Sequence, residues 1–503
     1  MPNVLHDALF APLANRQTPL LHTADGRIIS GAAFHRLMLR YAAALASLGL
    51  APGDRLAIQI AKSPQALALY GAAVMSGVVF LPLNTAYTAA EIAYFVEDSG
   101  AGLLIGDGGQ AGSLQAVADR AGAQFLTMNA DGSGSFAEAA ATQPEAFRPA
   151  DRGQEDLAAF LYTSGTTGRS KGAMLSHRNL LSNAQVLARE WRFSADDTLL
   201  HALPVFHTHG LFVASNVALL SGGSMIFLPS FKVDEIIRLL PKATSMMGVP
   251  TFYTRLLDDP RFDRDLTRHM RLFTSGSAPL LAETHVAFEA RTGHRILERY
   301  GMTETNMNTS NPYDGERRAG TVGFPLPGVE LKITDPATGE ALRQGEPGMI
   351  EVRGPNVFQG YWQMPEKTKE ELRENGFFIT GDIGVIDADG YVSIVGRQKD
   401  LIITGGYNVY PKEIELIVDE HPQVLDSAVI GLPHPDFGEA VACVVVPEKG
   451  ASLNVVELEA LLKDTLARFK QPKAIFVVDE LPRNTMGKVQ KNVLRDAYRN
   501  HFG

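Results

Sequence analysis

Cysteine is almost missing: Cys443 is the only one in 503 residues. That excludes an intramolecular disulfide and a cysteine-based zinc cluster, and it fits a reducing compartment. Positive charge is in deficit as well. Lys and Arg number 46 against 56 Asp and Glu, a formal net charge of −10. Proteins whose main task is gripping nucleic acid or an anionic membrane are normally basic, so neither role is expected. No basic residue precedes Arg16, so Met1–Arg16 does not look like the start of a secretory signal. The final residues, Asn500-His-Phe-Gly503, match no simple retention or prenylation signal. One uncharged stretch needs weighing, Ala66–Leu83, because its 18 residues reach the length of a membrane helix. It is rich in Ala and Gly, broken at Ser76-Gly77, and carries Pro82. Those features suit a buried helix running into a buried strand. The expectation is a soluble, cytoplasmic protein.

What is present is an ordinary globular balance, 45% hydrophobic and 20% charged. At roughly 150 residues per domain, the length suggests about three domains' worth of chain. Ser30 is placed to cap a helix whose apolar positions Phe34, Leu37, Met38, Tyr41 and Leu45 follow a helical period. A strand at Arg55–Ile60, a helix from Pro64, a strand at Val78–Leu81, a capping box at Thr88-Ala-Ala-Glu91 and a strand at Ala101–Ile105 follow. This alternation predicts parallel sheets covered by helices. The stretch from Gly106 to about Asp156 reads as surface structure of low information.

From Val329 short strands (Val329–Ile333, Gly348–Val352, Tyr391–Val395) indicate a β-rich subdomain. The last hundred or so residues read as a small α+β domain. Its helices are expected at Pro411–Asp419 and Val455–Phe469, and its strands at Asp426–Ile430, Ala440–Val446 and Ala474–Val478. The fold class expected is therefore α/β. A large N-terminal domain, 1–396, holds parallel α/β subdomains and the β-rich part. A small mobile C-terminal domain, 397–503, follows a hinge near Arg397–Asp400.

The segment richest in chemistry is Thr163-Ser-Gly-Thr-Thr-Gly-Arg-Ser-Lys-Gly172, directly after the apolar Leu157–Leu161. Its glycines let the backbone turn N–H groups toward one place, and its hydroxyls and Lys171 add donors, which suits a polyphosphate. It is not the common P-loop, because Lys171 is followed by Gly172.

That segment resembles the phosphate loop of the acyl-adenylate-forming superfamily, which includes acyl-CoA synthetases, peptide-synthetase adenylation domains and firefly luciferase. Further motifs of the superfamily follow in order: Tyr300-Gly-Met-Thr-Glu304, Thr380-Gly-Asp382, Gly396-Arg-Gln-Lys-Asp400, Gly405-Gly-Tyr-Asn-Val-Tyr-Pro411 and Pro482-Arg-Asn-Thr-Met-Gly-Lys488. The resemblance spans essentially the whole chain. It implies two half-reactions. A carboxylate attacks the α-phosphorus of ATP, giving an acyl-adenylate and pyrophosphate. The small domain then rotates, and a thiol displaces AMP.

The resemblance also implies roles. Thr163, Ser164, Gly165, Thr166, Thr167, Gly168 and Lys171 would hold the phosphates. Gly276, Ser277, Ala278, Tyr300, Gly301 and Thr303 would surround the adenine. Asp382 would bind the ribose hydroxyls, with Arg397 on ribose or phosphate. Glu304 and Thr166 would hold Mg2+. Lys488 would bridge the reacting carboxylate and the α-phosphate. Gly405, Gly406 and Tyr407 would face CoA. His207, in Val205-Phe-His-Thr-His-Gly210, stands where the superfamily places an aromatic gate. His207 and Lys171 join Lys488 as expected catalytic residues.

Two arginines bear on the acid. Arg255 follows Val249-Pro-Thr-Phe-Tyr-Thr, and Arg299 directly precedes Tyr300. A buried unpaired arginine is costly, so one aimed into an acyl pocket expects an anion. The alternative is pairing with a protein carboxylate, such as Glu298 or Glu289. Glu298–Thr305 and Arg318–Gly328 resemble malonyl-CoA and methylmalonyl-CoA synthetases. On that resemblance malonate or methylmalonate is the acid. Arg255 is the first choice for its distal carboxylate and Arg299 the second, with Thr208, Ser277, Met302 and Met307 nearby. Loading of a carrier-protein thiol instead of CoA is the alternative enzymatic reading. A nucleotide-binding regulator without catalysis is the alternative of another class, opposed by the presence of Lys488, Glu304 and Asp382. The resemblance further implies silencing by a lysine acetyltransferase acting on Lys488, reversed by a deacetylase.

Overall fold

The computed structural model describes residues 3–163, 170–404, 407–451, 453–484 and 487–502. Ser30 Oγ accepts from the Ala33 N–H at 3.2 Å and opens helix Gly31–Ser47, as the cap and periodicity predict. Phe34, Met38, Tyr41 and Leu45 of that helix are buried. The uncharged run Ala66–Leu83 falls into helix Pro64–Ser76, a left-handed Gly77 at φ +72° and strand Val79–Pro82. Its small residues have a packing reason. A Cβ on Gly71 would lie 2.7 Å from Met38 Cε. No helix among the described residues is long and apolar enough to cross a membrane. The capping box forms too, with Glu91 Oε2 accepting from the Thr88 N–H at 2.8 Å.

Contact density divides the chain into two compact units. The first comprises Met1–Ala319, Gly323–Glu330 and Val352–Phe378. It contains two large sheets. One has six strands in the order Gln124–Thr127, Leu103–Gly106, Arg55–Gln59, Val79–Pro82, Leu157–Thr163, Lys171–Ser176. All neighbours are parallel except the last pair. The other has nine strands and is parallel through its centre, where Leu272–Ser275 lies between Ser245–Gly248 and Leu297–Met302. Asn306–Ser310 then adds antiparallel to Leu297–Met302.

The stretch read as low-information surface is part of this architecture. Gln124–Thr127 is an edge strand of the six-stranded sheet, and Leu114, Met128 and Phe136 are fully buried. Its apolar residues are sparse because an edge strand and two short helices bury few side chains each.

The second unit comprises Gly320–Val322, Leu331–Glu351 and Ile379–Gly503. It holds most of a four-stranded sheet, ordered Glu330–Thr334, Gly348–Arg353, Phe378–Ile386, Val392–Arg397. It also holds a five-stranded sheet built on the long hairpin Val424–His434 and Gly438–Pro447. Ala474–Val477 adds parallel to that hairpin. The sequence reading grouped the β-rich strands with the N-terminal part, whereas contact density groups most of them with the C-terminal residues. Val455–Thr465 is helical, four residues shorter at its end than the reading to Phe469.

Candidate active site

Strand Leu157–Thr163 turns back as Lys171–Ser176, with Thr163 opposite Lys171. Ser164, Gly165, Thr166, Thr167 and Gly168, expected to hold phosphate and Mg2+, lie outside the described residues, as do Gly405 and Gly406. The hairpin's frame is described, and helix Ala89–Ser99 braces it. The Tyr94 hydroxyl donates to the Ser170 carbonyl at 2.8 Å. Asp98 accepts from the Tyr162 hydroxyl at 2.6 Å through its carboxylate, and from Trp362 Nε1 at 2.9 Å through its carbonyl. Hydroxyls and an indole thus fix the strand ends from which the loop springs.

Lys171 has a carboxylate partner. Its Nζ donates to Glu371 Oε1 and Oε2 at 3.0 and 3.1 Å and stands 4.1 Å above the Tyr361 ring. Lys367 Nζ reaches Glu371 Oε1 at 2.9 Å. The Tyr361 hydroxyl lies 2.5 Å from Glu371 Oε2 and 3.1 Å from Oε1 of Glu304, which is 5% exposed. One phenolic proton therefore serves two carboxylates. Burial and the neighbouring Glu304 push the Tyr361 phenol well above its ordinary pKa. Burial alone would raise Glu371, but donors from Tyr361, Lys367 and Lys171 outweigh it and hold the carboxyl below its usual value.

Arg299, one of the two arginines expected to hold a distal carboxylate, belongs to the first unit. This arginine is 3% exposed on strand Leu297–Met302, and its Nε and Nη2 have no partner among the described residues. Burial pushes its pKa down to about 9. Gly276 lies against it, because a Cβ there would stand 2.2 Å from Arg299 Nη1. Next to Gly276, Ser277 adopts φ +73°, and its Oγ meets His209 Nδ1 at 3.1 Å. Burial and then Arg299 depress the His209 pKa well below normal.

The His207–His209 pair forms a turn, with the His209 N–H donating to His207 Nδ1 at 3.3 Å. Thr208 is buried and donates to Asn306 Oδ1 at 2.6 Å. Met307 is buried beside Asn306, and its backbone exchanges hydrogen bonds with Asn183 at 2.9 and 3.3 Å. Tyr300, Gly301, Met302, Thr303 and Ala278 are half-buried on the same strand or loop. A Cβ on Gly301 would stand 1.7 Å from the Asn306 carbonyl oxygen, so only glycine fits the approach of the two strands.

His209–Ser215 is a π-helix, a form common at functional sites. It is braced by buried His201, whose Nε2 lies 2.9 Å from the Gly210 carbonyl. His201 Nδ1 lies 2.9 Å from the buried Lys62 Nζ.

Arg255 does not share this environment. It is exposed on helix Pro250–Leu257. The burial argument that singled out both arginines therefore applies to Arg299. The neighbouring Glu298 accepts from the Leu280 N–H at 3.0 Å through Oε1.

In the second unit, Asp382 is 3% exposed and opposes Arg397 in register, with Arg397 Nε 2.5 Å from Asp382 Oδ1. Lys488 is exposed, and its N–H donates to Asn484 Oδ1 at 3.0 Å, closing the turn that carries it. Gly487 in that turn adopts φ +76°. Lys491 anchors the same segment to Glu415 at 2.5 Å. Tyr407 is exposed and stacks on Phe469 at 4.7 Å.

Sequence reasoning did not find Tyr94, Asp98, Asn306, Tyr361 or Glu371. Glu371 sits in Pro365–Glu371, whose charged residues read as a solvated helix face. The positive φ of Asn306, +53°, follows a known tolerance of asparagine, but only the paired strands expose it.

Comparison with known proteins gives matches over nearly all of the chain. The AMP-binding enzyme family matches residues 13–362, and the AMP-binding enzyme C-terminal domain matches residues 413–488. The chain is 37% identical over 485 residues to a malonate–CoA ligase of Arabidopsis thaliana, covering 90% of this chain and 79% of that one. It is 38% identical over 461 residues to the mitochondrial malonate–CoA ligase of Mus musculus, covering 84% and 78%. The crystal structure of ATP-bound MatB from Rhodopseudomonas palustris superposes with a TM-score of 0.98 at 57% identity, covering 100% of both chains.

Proposed function

Because the chain belongs to the AMP-binding enzyme family, we propose that it joins malonate to CoA at the expense of ATP, releasing AMP and pyrophosphate. The observation that carries the choice of acid is Arg299. A guanidinium 3% exposed, with Nε and Nη2 unfilled among the described residues, favours a planar anion between its donors. A diacid supplies that anion while leaving its other carboxylate to react. Two of the relatives, themselves malonate–CoA ligases, support the same acid. Methylmalonate differs by one methyl, worth about 1–3 kcal/mol of discrimination, and is expected to react as well.

In this reading the acid's free carboxylate attacks the α-phosphorus of ATP in line, and pyrophosphate leaves. The CoA thiol then attacks the acyl carbonyl, and AMP leaves. Such chemistry depends on positioning and charge more than on covalent help. Lys488 neutralises the meeting oxygens. Lys171 and its loop take the phosphates, and Asp382 with Arg397 the ribose. Gly276–Ala278 and Tyr300–Thr303 flank the adenine. His207 stands at the acyl gate, and Tyr407 with Gly405 and Gly406 faces CoA. One buried carboxylate plus substrate phosphates suits Mg2+, and Glu304 supplies that carboxylate. When bound, the ion would neutralise phosphate charge. Division at 396/397, with a hinge near Arg397–Asp400, belongs to this reading. So does a cytoplasmic setting, supported by the single buried thiol of Cys443. Acetylation of the exposed Lys488 would erase its charge and stop adenylate formation.

The test is AMP release with MgATP and CoA, comparing malonate, methylmalonate, acetate and octanoate in the parent, Arg299→Ala and Arg255→Ala. The diacids should dominate. Arg299→Ala should lower their kcat/KM by about 10²-fold or more, and Arg255→Ala by less. Preference for acetate or octanoate would refute the diacid reading. Lys488→Ala should lower adenylate formation by about 10²–10³-fold.

A further inference from the structure

Lys171 is the lysine of the phosphate loop, yet both oxygens of Glu371 lie within 3.1 Å of its Nζ. Their side chains are only 15% and 22% exposed, so water screens the pair weakly. Glu371 is itself crowded by donors, with Lys367 Nζ at 2.9 Å and the Tyr361 hydroxyl at 2.5 Å. The arrangement satisfies Lys171 with a protein carboxylate. A polyphosphate approaching the loop offers the same lysine the same chemistry: anionic oxygens that accept charged hydrogen bonds. Two anions compete for one cation. Glu371 can yield it cheaply, because Lys367 and Tyr361 remain to hold the carboxylate.

We propose that Glu371 is a positioning residue that stands in for polyphosphate: it holds Lys171 until the β- and γ-phosphates displace it, and retakes the lysine as pyrophosphate leaves. The proposal rests on the reading of Lys171 as a phosphate ligand. Its consequence is counter-intuitive for a residue so close to the site. Deleting the Glu371 charge tightens pyrophosphate instead of weakening it, and slows its departure. AMP carries no β- or γ-phosphate and is indifferent.

The experiment is calorimetric titration of pyrophosphate with Mg2+, and separately of AMP, into the full chain as parent, Glu371→Gln, Lys171→Ala and the double variant. The expected result is about five- to tenfold tighter pyrophosphate in Glu371→Gln, with AMP unchanged. That gain should vanish when Lys171 is already alanine, because the cycle isolates the pair from the general effect of deleting a negative charge. Unchanged or weaker pyrophosphate in Glu371→Gln overturns the proposal, and so does a gain that persists without Lys171. If Lys171→Ala binds pyrophosphate as tightly as the parent, the reading of Lys171 itself fails and the proposal falls with it. Should Glu371→Gln not fold, Glu371→Asp, which withdraws the carboxylate by one methylene, is measured with the same sign expected.

Discussion

Gly276 and Arg299 are in contact in a way that no other residue at 276 would permit: an added Cβ would stand 2.2 Å from the Arg299 Nη1. The atom it meets is the far end of a flexible side chain, so the fold can give way while the arginine cannot stay. Gly276→Ala should therefore fold with little loss of stability but displace the group proposed to hold the distal carboxylate. The KM for malonate should rise about tenfold or more, beyond any change in the KM for ATP, whose adenine Gly276 is also proposed to flank. Steady-state kinetics with each substrate varied in turn, beside a thermal melt, check this. An unchanged malonate KM would show that Arg299 does not act from where it lies.

Gly210 provides the opposite case. There an added Cβ would stand 1.9 Å from the Pro204 carbonyl oxygen, a backbone atom in a buried turn. No side chain can move aside. Gly210→Ala should cost about 3 kcal/mol or more and unravel the π-helical turn that carries His209. Denaturant unfolding of the purified variant, or its failure to accumulate folded, measures it. Parent-like stability would mean the turn has a second conformation.

The Tyr94 hydroxyl donates to the Ser170 carbonyl at 2.8 Å, at the described end of the loop. Tyr94→Phe keeps the ring packing and removes one hydrogen bond worth about 1 kcal/mol. Released from that anchor, the loop should bind ATP about three- to tenfold more weakly, with the KM for malonate and CoA unaffected. A uniform change in all three constants would point to general loosening instead.

Asp419 is buried in the second unit, accepts from the Ser427 hydroxyl at 2.6 Å and lies 3.8 Å from Lys412 Nζ. Burial raises its pKa to about 6, with Glu415 and Asp426 adding to the rise and Ser427 and Lys412 opposing it. Glu415 and Asp426 are themselves paired, with Lys491 and Arg483. The folded carboxyl keeps its proton longer than the unfolded one. Folding is therefore favoured by this group at low pH, and the benefit is lost as pH rises through about 6. Asp419→Asn removes the penalty of a buried charge, so it should stabilise the protein by about 1–3 kcal/mol at pH 7.5 and by little at pH 4. Urea unfolding at the two pH values reads the difference. A variant equally or less stable at pH 7.5 would mean that Lys412 fully compensates the charge.

The local signals in this chain were read correctly where the physics is local. Ser30 and Thr88 cap helices because a side-chain oxygen and an N–H three residues on meet in any chain that turns there. The alternation of apolar strands and helices specified parallel sheets because a strand buried on both faces has no polar positions. The Gly- and Thr-rich run before Lys171 and the Gly487-Lys488 pair stand out through residue types that few other structures require, and their roles rest on resemblance. What the linear order left open is which charges meet. Arg255 and Arg299 are alike as sequence, and only the packing of the central strands buries one and exposes the other. Glu371, two hundred residues from Lys171, looks like one carboxylate among several on a solvated helix. Burial and partnership at long range depend on the path of the whole backbone, so tertiary structure alone buries Arg299 and sets Glu371 against the lysine.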